Sequence, residues 1–225
     1  YEVSSGGLEE FLLNQGKSLN CLSLTMPLKE EALAVADHVS TISRQIASGN
    51  TLHKKADGWH LTSTDVEGFT FALEASGHVA IKTVLIIGAG ATARAVAAAC
   101  NREATSITVV GRSASRHESI RQSAANSSIT FVDWDTNLDL DSFDLVVNTT
   151  PADTAAVFLD RVNDPQGVFF EVIYNPWPTA LLNKWKQVGG SYVDGLDLLI
   201  HQAISQIEIF SGQKVDRLSM AQLLR

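Results

Sequence analysis

The hydrophobic pattern changes texture sharply near the middle of the chain. Thr83 to Ile87 is an apolar, β-branched run without polar alternation, which predicts a strand buried on both faces. Gly88-Ala89-Gly90 ends it, and an alanine-rich segment of high helix propensity, Ala91 to Cys100, follows. Upstream, the alternations are shorter. They predict a strand end at Tyr1 to Ser4, an amphipathic helix at Leu8 to Asn14 and a strand at Asn20 to Leu24. Pro27 suits the first position of a helix running through Glu31, Leu33 and Val35. A polar helix is expected from about Asp37 to Gln45. A strand from Ala47 to Leu52, a turn at Ala56-Asp57-Gly58 and a returning strand at Trp59 to Ser63 predict a hairpin. Thr64-Asp65-Val66-Glu67 reads as a capping box for a helix with Val66, Phe69 and Leu73 on one face, closed by Gly77.

Downstream, short strands are expected at Ser106 to Val110, Thr130 to Val132, Phe143 to Asn148, Val168 to Val172 and Ser191 to Val193. The intervening segments read as crossovers, including a helix at Thr179 to Gln187, so a parallel sheet is expected. A long helix, Leu196 to Ser211, carries Leu199, Ile200, Ala203, Ile207 and Phe210 as its apolar stripe, with Gly212 as its cap. Leu218 to Leu224 closes the chain. The fold class is α/β in two parts.

Composition narrows the function classes. A chain of 225 residues with 45% hydrophobic content can bury a core in one or two domains. A net charge of −8 argues against nonspecific nucleic-acid binding and against an anionic membrane surface. The two cysteines, Cys21 and Cys100, give neither a disulfide framework nor a zinc site, and no metal is expected. No segment has the apolar length of a membrane span and no signal peptide is seen, so a reducing cytoplasm is the expectation. The chain opens on Tyr1 rather than a methionine, and further residues are expected upstream.

The strand–glycine turn–helix at residues 83–100 can cradle a pyrophosphate. Gly88 permits the turn, Gly90 lets phosphate approach the backbone, and Ala93 allows close helix–strand packing. The helix N-terminus adds free N–H groups and a positive dipole end. A lone GxGxxA also occurs as an ordinary tight turn, so the next strand matters. Ser106 to Val110 leads into Gly111-Arg112-Ser113-Ala114-Ser115-Arg116. No acid stands there to hold a ribose 2′-hydroxyl, and two guanidinium groups suit a 2′-phosphate, which points to NADP. In the first region, Lys29 falls in the first turn of a helix, against the dipole. Alone it reads as a solvated lysine beside Glu30 and Glu31, Asp65 as a helix-start acid, and Asn50 as a turn residue.

Taken together, these residues resemble a family. Thr25-x-Pro27-x-Lys29, Gly49-Asn50-Thr51, Thr64-Asp65-x-x-Gly68-Phe69, Gly88-Ala89-Gly90, Arg112-Ser113-x-x-Arg116, Tyr174-Asn175-Pro176 and Gly195-x-x-x-Leu199-x-x-Gln202-Ala203 occur in the order and spacing of shikimate dehydrogenases. Each motif is loose, but the ordered set is specific and spans nearly the whole chain. The resemblance implies a substrate domain (1–77 and 195–225) and a Rossmann-type NADP-binding domain (78–194), with C-terminal helices returning to the first. It implies reversible NADPH-dependent reduction of 3-dehydroshikimate to shikimate, in chorismate and aromatic amino-acid biosynthesis, by a monomer or homodimer.

By that resemblance Lys29 and Asp65 are the catalytic pair. Thr25, Asn50, Tyr174 and Gln202 join them in binding substrate. Gly88, Ala89, Gly90, Ala91, Arg112, Ser113 and Arg116 hold NADP, and Asn148, Thr149 and Gly195 line the nicotinamide. The sequence departs from the family at several places. The family's first strand, with its paired serines for the substrate carboxylate, has no counterpart here. Ser63 stands for an asparagine, Ala91 for a glycine, Gly111 for an asparagine, Glu171 for an aspartate and Leu198 for a methionine. A quinate/shikimate dehydrogenase of broader specificity is one alternative. A non-catalytic NADP(H)-binding sensor is another, although a pure binder has no need of Lys29, Asp65 and Asn50 together. Carbonyl reduction by hydride needs a proton donor near the forming alkoxide, and a lysine paired with an aspartate can supply it.

Overall fold

The computed structural model describes every residue except Val79. Its two sheets divide the chain: one precedes residue 63, the other follows residue 82. The first sheet contains β1 (Cys21–Ser23), β2 (His38–Val39), β3 (Thr51–Lys55) and β4 (Gly58–Thr62), in the order β1-β3-β4-β2. β3 pairs antiparallel with both β1 and β4, whereas β2 joins β4 in parallel at the edge. Leu52 and Leu61 face each other across the hairpin and pack with Trp59, Leu8, Leu24 and Ala32. Leu8 comes from α1 (Leu8–Gln15) and Ala32 from α2 (Leu28–Val35).

The second sheet is wholly parallel: β5 (Thr83–Ile87), β6 (Ser106–Val110), β7 (Ser128–Val132), β8 (Leu145–Asn148), β9 (Val168–Glu171) and β10 (Ser191–Val193). Its order, β10-β9-β8-β5-β6-β7, is the doubly wound Rossmann arrangement. The side chains of β5 alternate between two cores. Val84 and Ile86 join one, Leu85 and Ile87 the other, which is why its sequence carries no polar alternation. α5 (Ala91–Ala99) and α6 (His117–Ser123) cover one face, and α7 (Ala180–Gln187) covers the other.

Two helices tie the parts together. α4 (Asp65–Ala75) packs along α8 (Gly195–Ser211), and Phe69 of α4 stacks on Phe170 of β9 with ring centroids 4.5 Å apart. A Cβ on Gly68 would lie 2.8 Å from the backbone nitrogen of Gln202, so this helix crossing requires glycine. α9 (Arg217–Leu224) packs on α8.

Four local expectations are corrected. Tyr1 to Ser4 forms no strand. The polar helix shrinks to α3 (Thr41–Gln45), because His38–Val39 pairs with β4 and Ser40 caps the helix by accepting from the Ser43 N–H. The capping box at Thr64 does not form: its hydroxyl bonds Asn50, and Glu67 accepts from Ser205 Oγ of α8 instead. In α8 the buried stripe is Leu198, Ile200, His201, Ile204, Ser205 and Gln206, whereas Leu199 and Ile207 are exposed. The neighbour of α8 is a polar sheet end as well as an apolar core, so polar side chains occupy its inner face.

Candidate active site

The first sheet delivers its polar residues from loop ends onto one spot. Lys29 lies in the first turn of α2 and its backbone carbonyl accepts from the Gly49 N–H at 2.8 Å, tying the helix start to the approach of β3. Asn50 sits just before β3, and Thr64-Asp65 just after β4. Because β3 and β4 are antiparallel neighbours, the hairpin returns these residues to the same end of the sheet.

There Lys29 Nζ donates to Asp65 Oδ2 at 2.8 Å. Asn50 Nδ2 lies 2.9 Å from Asp65 Oδ1, 2.9 Å from Thr64 Oγ1 and 3.0 Å from Gln202 Oε1. Asn50 Oδ1 accepts from the Thr64 N–H and the Thr51 hydroxyl. Three acceptors therefore surround the two N–H groups of one amide. One acceptor is left with lone-pair capacity for a further donor, and Gln202, on the less buried side, is the natural candidate. From α8, Gln206 Nε2 donates to the Asn50 carbonyl and Thr51 Oγ1, fastening the loop. Asn50 and Asp65 are 2% and 8% exposed, so the hydrogen bonds operate with little competition from water.

In the second sheet the strand order reverses between β5 and β8. Gly88-Ala89-Gly90 follows β5 and Asn148-Thr149 ends and follows β8, so both flank the crevice where α/β sheets bind ligands. Gly88 has φ +111°, and a Cβ there would fall 2.5 Å from Thr149 Oγ1. Gly90 caps α5, and a Cβ built on it meets no atom within 4 Å. Ala91 begins the helix and Ala89 is partly exposed. This backbone fits a pyrophosphate: the turn is glycine-dependent, the space over Gly90 is open and the helix N-terminus carries no side-chain cap.

Arg112, Ser113 and Arg116 are exposed beyond β6, the side expected for an adenosine ribose. Ser113 Oγ accepts from the Ser115 N–H, opening a short turn of helix at Ala114–Arg116. No hydrogen bond or ion pair engages the Arg112 guanidinium among the described residues, whereas Arg116 Nη1 lies 3.4 Å from Glu30 Oε1.

The remaining expected residues are placed differently. Asn148 is buried, and its amide is consumed by Glu171 and Thr150, leaving backbone and Thr149 to face the crevice. Gly195 opens α8, where a Cβ would strike the Val172 carbonyl at 2.3 Å. Thr25 is exposed after β1. Tyr174 is 59% exposed, and among the described residues no hydrogen bond joins it to Lys29 or Asp65.

Sequence reasoning missed Arg94. It projects from α5 and is buried, donating to the carbonyls of Ile46 and Ala47 and to Glu30 Oε1 at 2.6 Å. It thus links the glycine-turn helix to the residue beside Lys29. Desolvation alone raises the Glu30 carboxyl pKa, but hydrogen bonding and charge from Arg94, with charge from Arg116, outweigh it and hold it below the ordinary value. A lone arginine in an alanine-rich helix was the available signal. Glu171 was also missed as a network centre: its carboxylate accepts from Asn148, Thr179 and the Ile173 N–H. Burial pushes its pKa up despite these donors.

The chain is similar to known proteins in sequence and in fold. The family model described as shikimate/quinate 5-dehydrogenase matches residues 70–167. A shikimate dehydrogenase (NADP(+)) from Syntrophobacter fumaroxidans is 33% identical over 192 residues, covering 83% of this chain and 67% of that protein. The chain belongs to the shikimate/quinate dehydrogenase family. The crystal structure of Mycobacterium tuberculosis shikimate dehydrogenase superposes with a TM-score of 0.85 at 30% identity, covering 99% of this chain and 85% of that one. A Thermus thermophilus shikimate 5-dehydrogenase in complex with NADP(H) and shikimate gives a TM-score of 0.84 at 25% identity, covering 100% and 85%. The two-part α/β fold of the family is therefore the fold of this chain. No helix among the described residues is long and apolar enough to cross a membrane.

Proposed function

We propose that this family member is an NADP-dependent oxidoreductase that interconverts shikimate and 3-dehydroshikimate. Residues 1–77 and 195–225 form the substrate domain and 78–194 the NADP domain, in a cytoplasmic monomer or homodimer. The observation that carries the reading is the Lys29–Asp65 pair at the end of the first sheet, with Asn50 Nδ2 2.9 Å from Asp65 Oδ1 and 3.0 Å from Gln202 Oε1. Such a pair has no use in a binding module that only senses a dinucleotide.

Gly88, Gly90 and the start of α5 would hold the pyrophosphate, and Arg112 with Ser113 and Arg116 the 2′-phosphate. When bound, the nicotinamide accepts or supplies hydride. Lys29 does the proton work at the substrate oxygen: its ammonium donates to the forming alkoxide in reduction, and its amine takes the proton in oxidation. Asp65 fixes the lysine Nζ through Oδ2 and is itself fixed through Oδ1 by Asn50. The spare acceptor at Gln202 and the exposed hydroxyl of Thr25 would orient the remaining substrate hydroxyls. A steady-state assay with shikimate and NADP+ tests the reading. Turnover at least about tenfold faster, in kcat/KM, than with quinate or with NAD+ is expected, a discrimination of about 1.4 kcal/mol. Comparable quinate turnover would make it a broader enzyme, and NADP+ binding without any turnover would make it a sensor.

A further inference from the structure

Three of the chain's six histidines form a row across the first sheet, away from the pair described above. His53 in β3 is the register partner of His60 in β4, and His60 is the register partner of His38 in β2. Side chains alternate along a strand, so register partners share a face. This face is opposite the one on which Leu52, Trp59 and Leu61 build their core. The His38 and His60 rings stack with centroids 4.3 Å apart.

Asp57, in the hairpin turn, completes the cluster. Its Oδ1 lies 2.8 Å from His60 Nε2 and its Oδ2 lies 3.2 Å from His38 Nε2. One donor atom from each of the three residues lies within 4.8 Å of the others.

We propose that His38, Asp57 and His60 bind a divalent transition-metal ion of the zinc type. The donor set is two imidazole nitrogens and one carboxylate oxygen. Hard cations such as calcium and magnesium prefer oxygen alone, and soft ions prefer thiolates, so a borderline ion is selected. Tetrahedral zinc with bonds of ~2.05 Å places its ligand atoms about 3.3 Å apart. The nitrogen–oxygen separations, 2.8 Å to one carboxylate oxygen and 3.2 Å to the other, both lie a little under that edge, and the three donor atoms sit within 4.8 Å of one another, so side-chain adjustment alone brings them around one ion in place of the shared hydrogen bonds. Both histidines and the aspartate retain solvent access, which leaves the fourth position to water.

The ligands are also preorganised. The ladder fixes the backbones of His38 and His60. Asp37 accepts from the Trp59 N–H at 2.7 Å and sits where a Cβ on Gly58 would be, 2.3 Å from Oδ2, so Gly58 with φ +122° lets that carboxylate clamp the turn carrying Asp57. A bound ion would staple the edge strand β2 to the hairpin. That hairpin holds Asn50 and Thr64-Asp65 at its other end, so the ion would stiffen the support of the Lys29 pair without touching it.

The test is calorimetric titration of the full chain, stripped with chelator, with zinc chloride alone. One ion per chain is expected, together with a rise in Tm under zinc. His60→Ala and Asp57→Asn should each weaken binding by at least ~100-fold, the upper range for disturbing even an outer-shell partner. Asp57→Asn keeps the exposed turn folded if His60→Ala does not, as checked by circular dichroism. His53→Ala and Lys55→Ala should leave affinity within about threefold, since neither supplies a ligand; this range is under 0.7 kcal/mol. Absence of a stoichiometric site overturns the proposal. So does zinc binding that survives in a folded His38→Ala/His60→Ala double variant, or that disappears only with His53→Ala.

Discussion

The two halves of the candidate site are built by opposite means. At the end of the first sheet, polar side chains form one connected network: Lys29 to Asp65, Asp65 to Asn50, Asn50 to Thr64 and Gln202, Gln206 to the Asn50 loop. At the crevice of the second sheet, the fitting surface is bare backbone over Gly88 to Gly90, with Arg112 standing free of partners among the described residues. The difference follows from what each half is proposed to hold. A proton-transfer pair needs a fixed distance, which a low-dielectric network of hydrogen bonds supplies. A pyrophosphate is held by N–H groups that the helix start provides without side chains. The wired half should therefore respond to mutation as a unit, and the open half residue by residue.

The largest effect is expected in the wired half. Lys29→Ala should lower kcat by about two to four decades with a smaller change in KM. Asp65→Asn should also lower kcat, and the double variant should be little worse than the worse single, because members of one unit are non-additive. Additive losses in a double-mutant cycle, or kcat near wild type in folded Lys29→Ala, would dissolve the unit and return Lys29 to a surface charge.

Arg94 tests whether the halves are separable. Its replacement by alanine strips the Ile46 and Ala47 carbonyls and Glu30 of their donor. Stability should fall by about 3 kcal/mol, the range for losing charged hydrogen bonds from a buried site. Denaturant midpoints measure this. NADP+ affinity should fall too, since α5 loses its tie to the segment before β3. Unchanged stability would mean that the Phe69–Phe170 stacking and the Gln45–Ser123 hydrogen bonds suffice to join the two parts.

The open half should answer singly. Arg112→Ala should weaken NADP+ binding by one to two decades, from about 1.5–3 kcal/mol for a charge-assisted hydrogen bond, and NAD+ hardly at all. Equal loss for both cofactors would show that the arginine does not read a 2′-phosphate. Arg116→Ala should cost less, because that guanidinium already lies beside Glu30.

This contrast also explains what was legible in the sequence. The parallel sheet was readable nearly strand for strand, because β5 and β8 are local apolar runs and the glycine turn is a local signal. The pairing of Lys29 with Asp65 had no such signal: 36 residues separate them, and only the family resemblance joined them. Tertiary partners overrode local chemistry where they competed for the same atom. Thr64 reads as a capping threonine, but Asn50 takes its hydroxyl. The inner face of α8 was misread because Ser205 and Gln206 are buried by hydrogen bonds to Glu67, Thr51 and the Asn50 loop rather than by hydrophobicity. His38–Val39 is too short to announce itself as a strand and exists only because β4 lies beside it.

The smallest predicted effect lies on α8, the helix that serves both halves. His201 is buried there, stacked on Phe71 with ring centroids 6.3 Å apart, and its Nδ1 has no hydrogen-bond partner among the described residues. Burial, reinforced by the charge of Arg217, holds its pKa below the ordinary imidazole value of 6.5. The unfolded chain therefore takes up a proton at a pH where the folded protein refuses it. The stabilisation is fully present above pH 6.5 and is lost as pH falls from there through the folded pKa. His53, also depressed by burial and then by Lys55 and His60, adds to the same limb. His201→Gln, which cannot titrate, should flatten the fall of Tm between neutral pH and pH 5, while His117→Gln, on the half-buried start of α6, serves as the comparison. A Tm profile with the same acid slope in His201→Gln as in wild type would remove His201 from that limb and leave His53 as its histidine contributor.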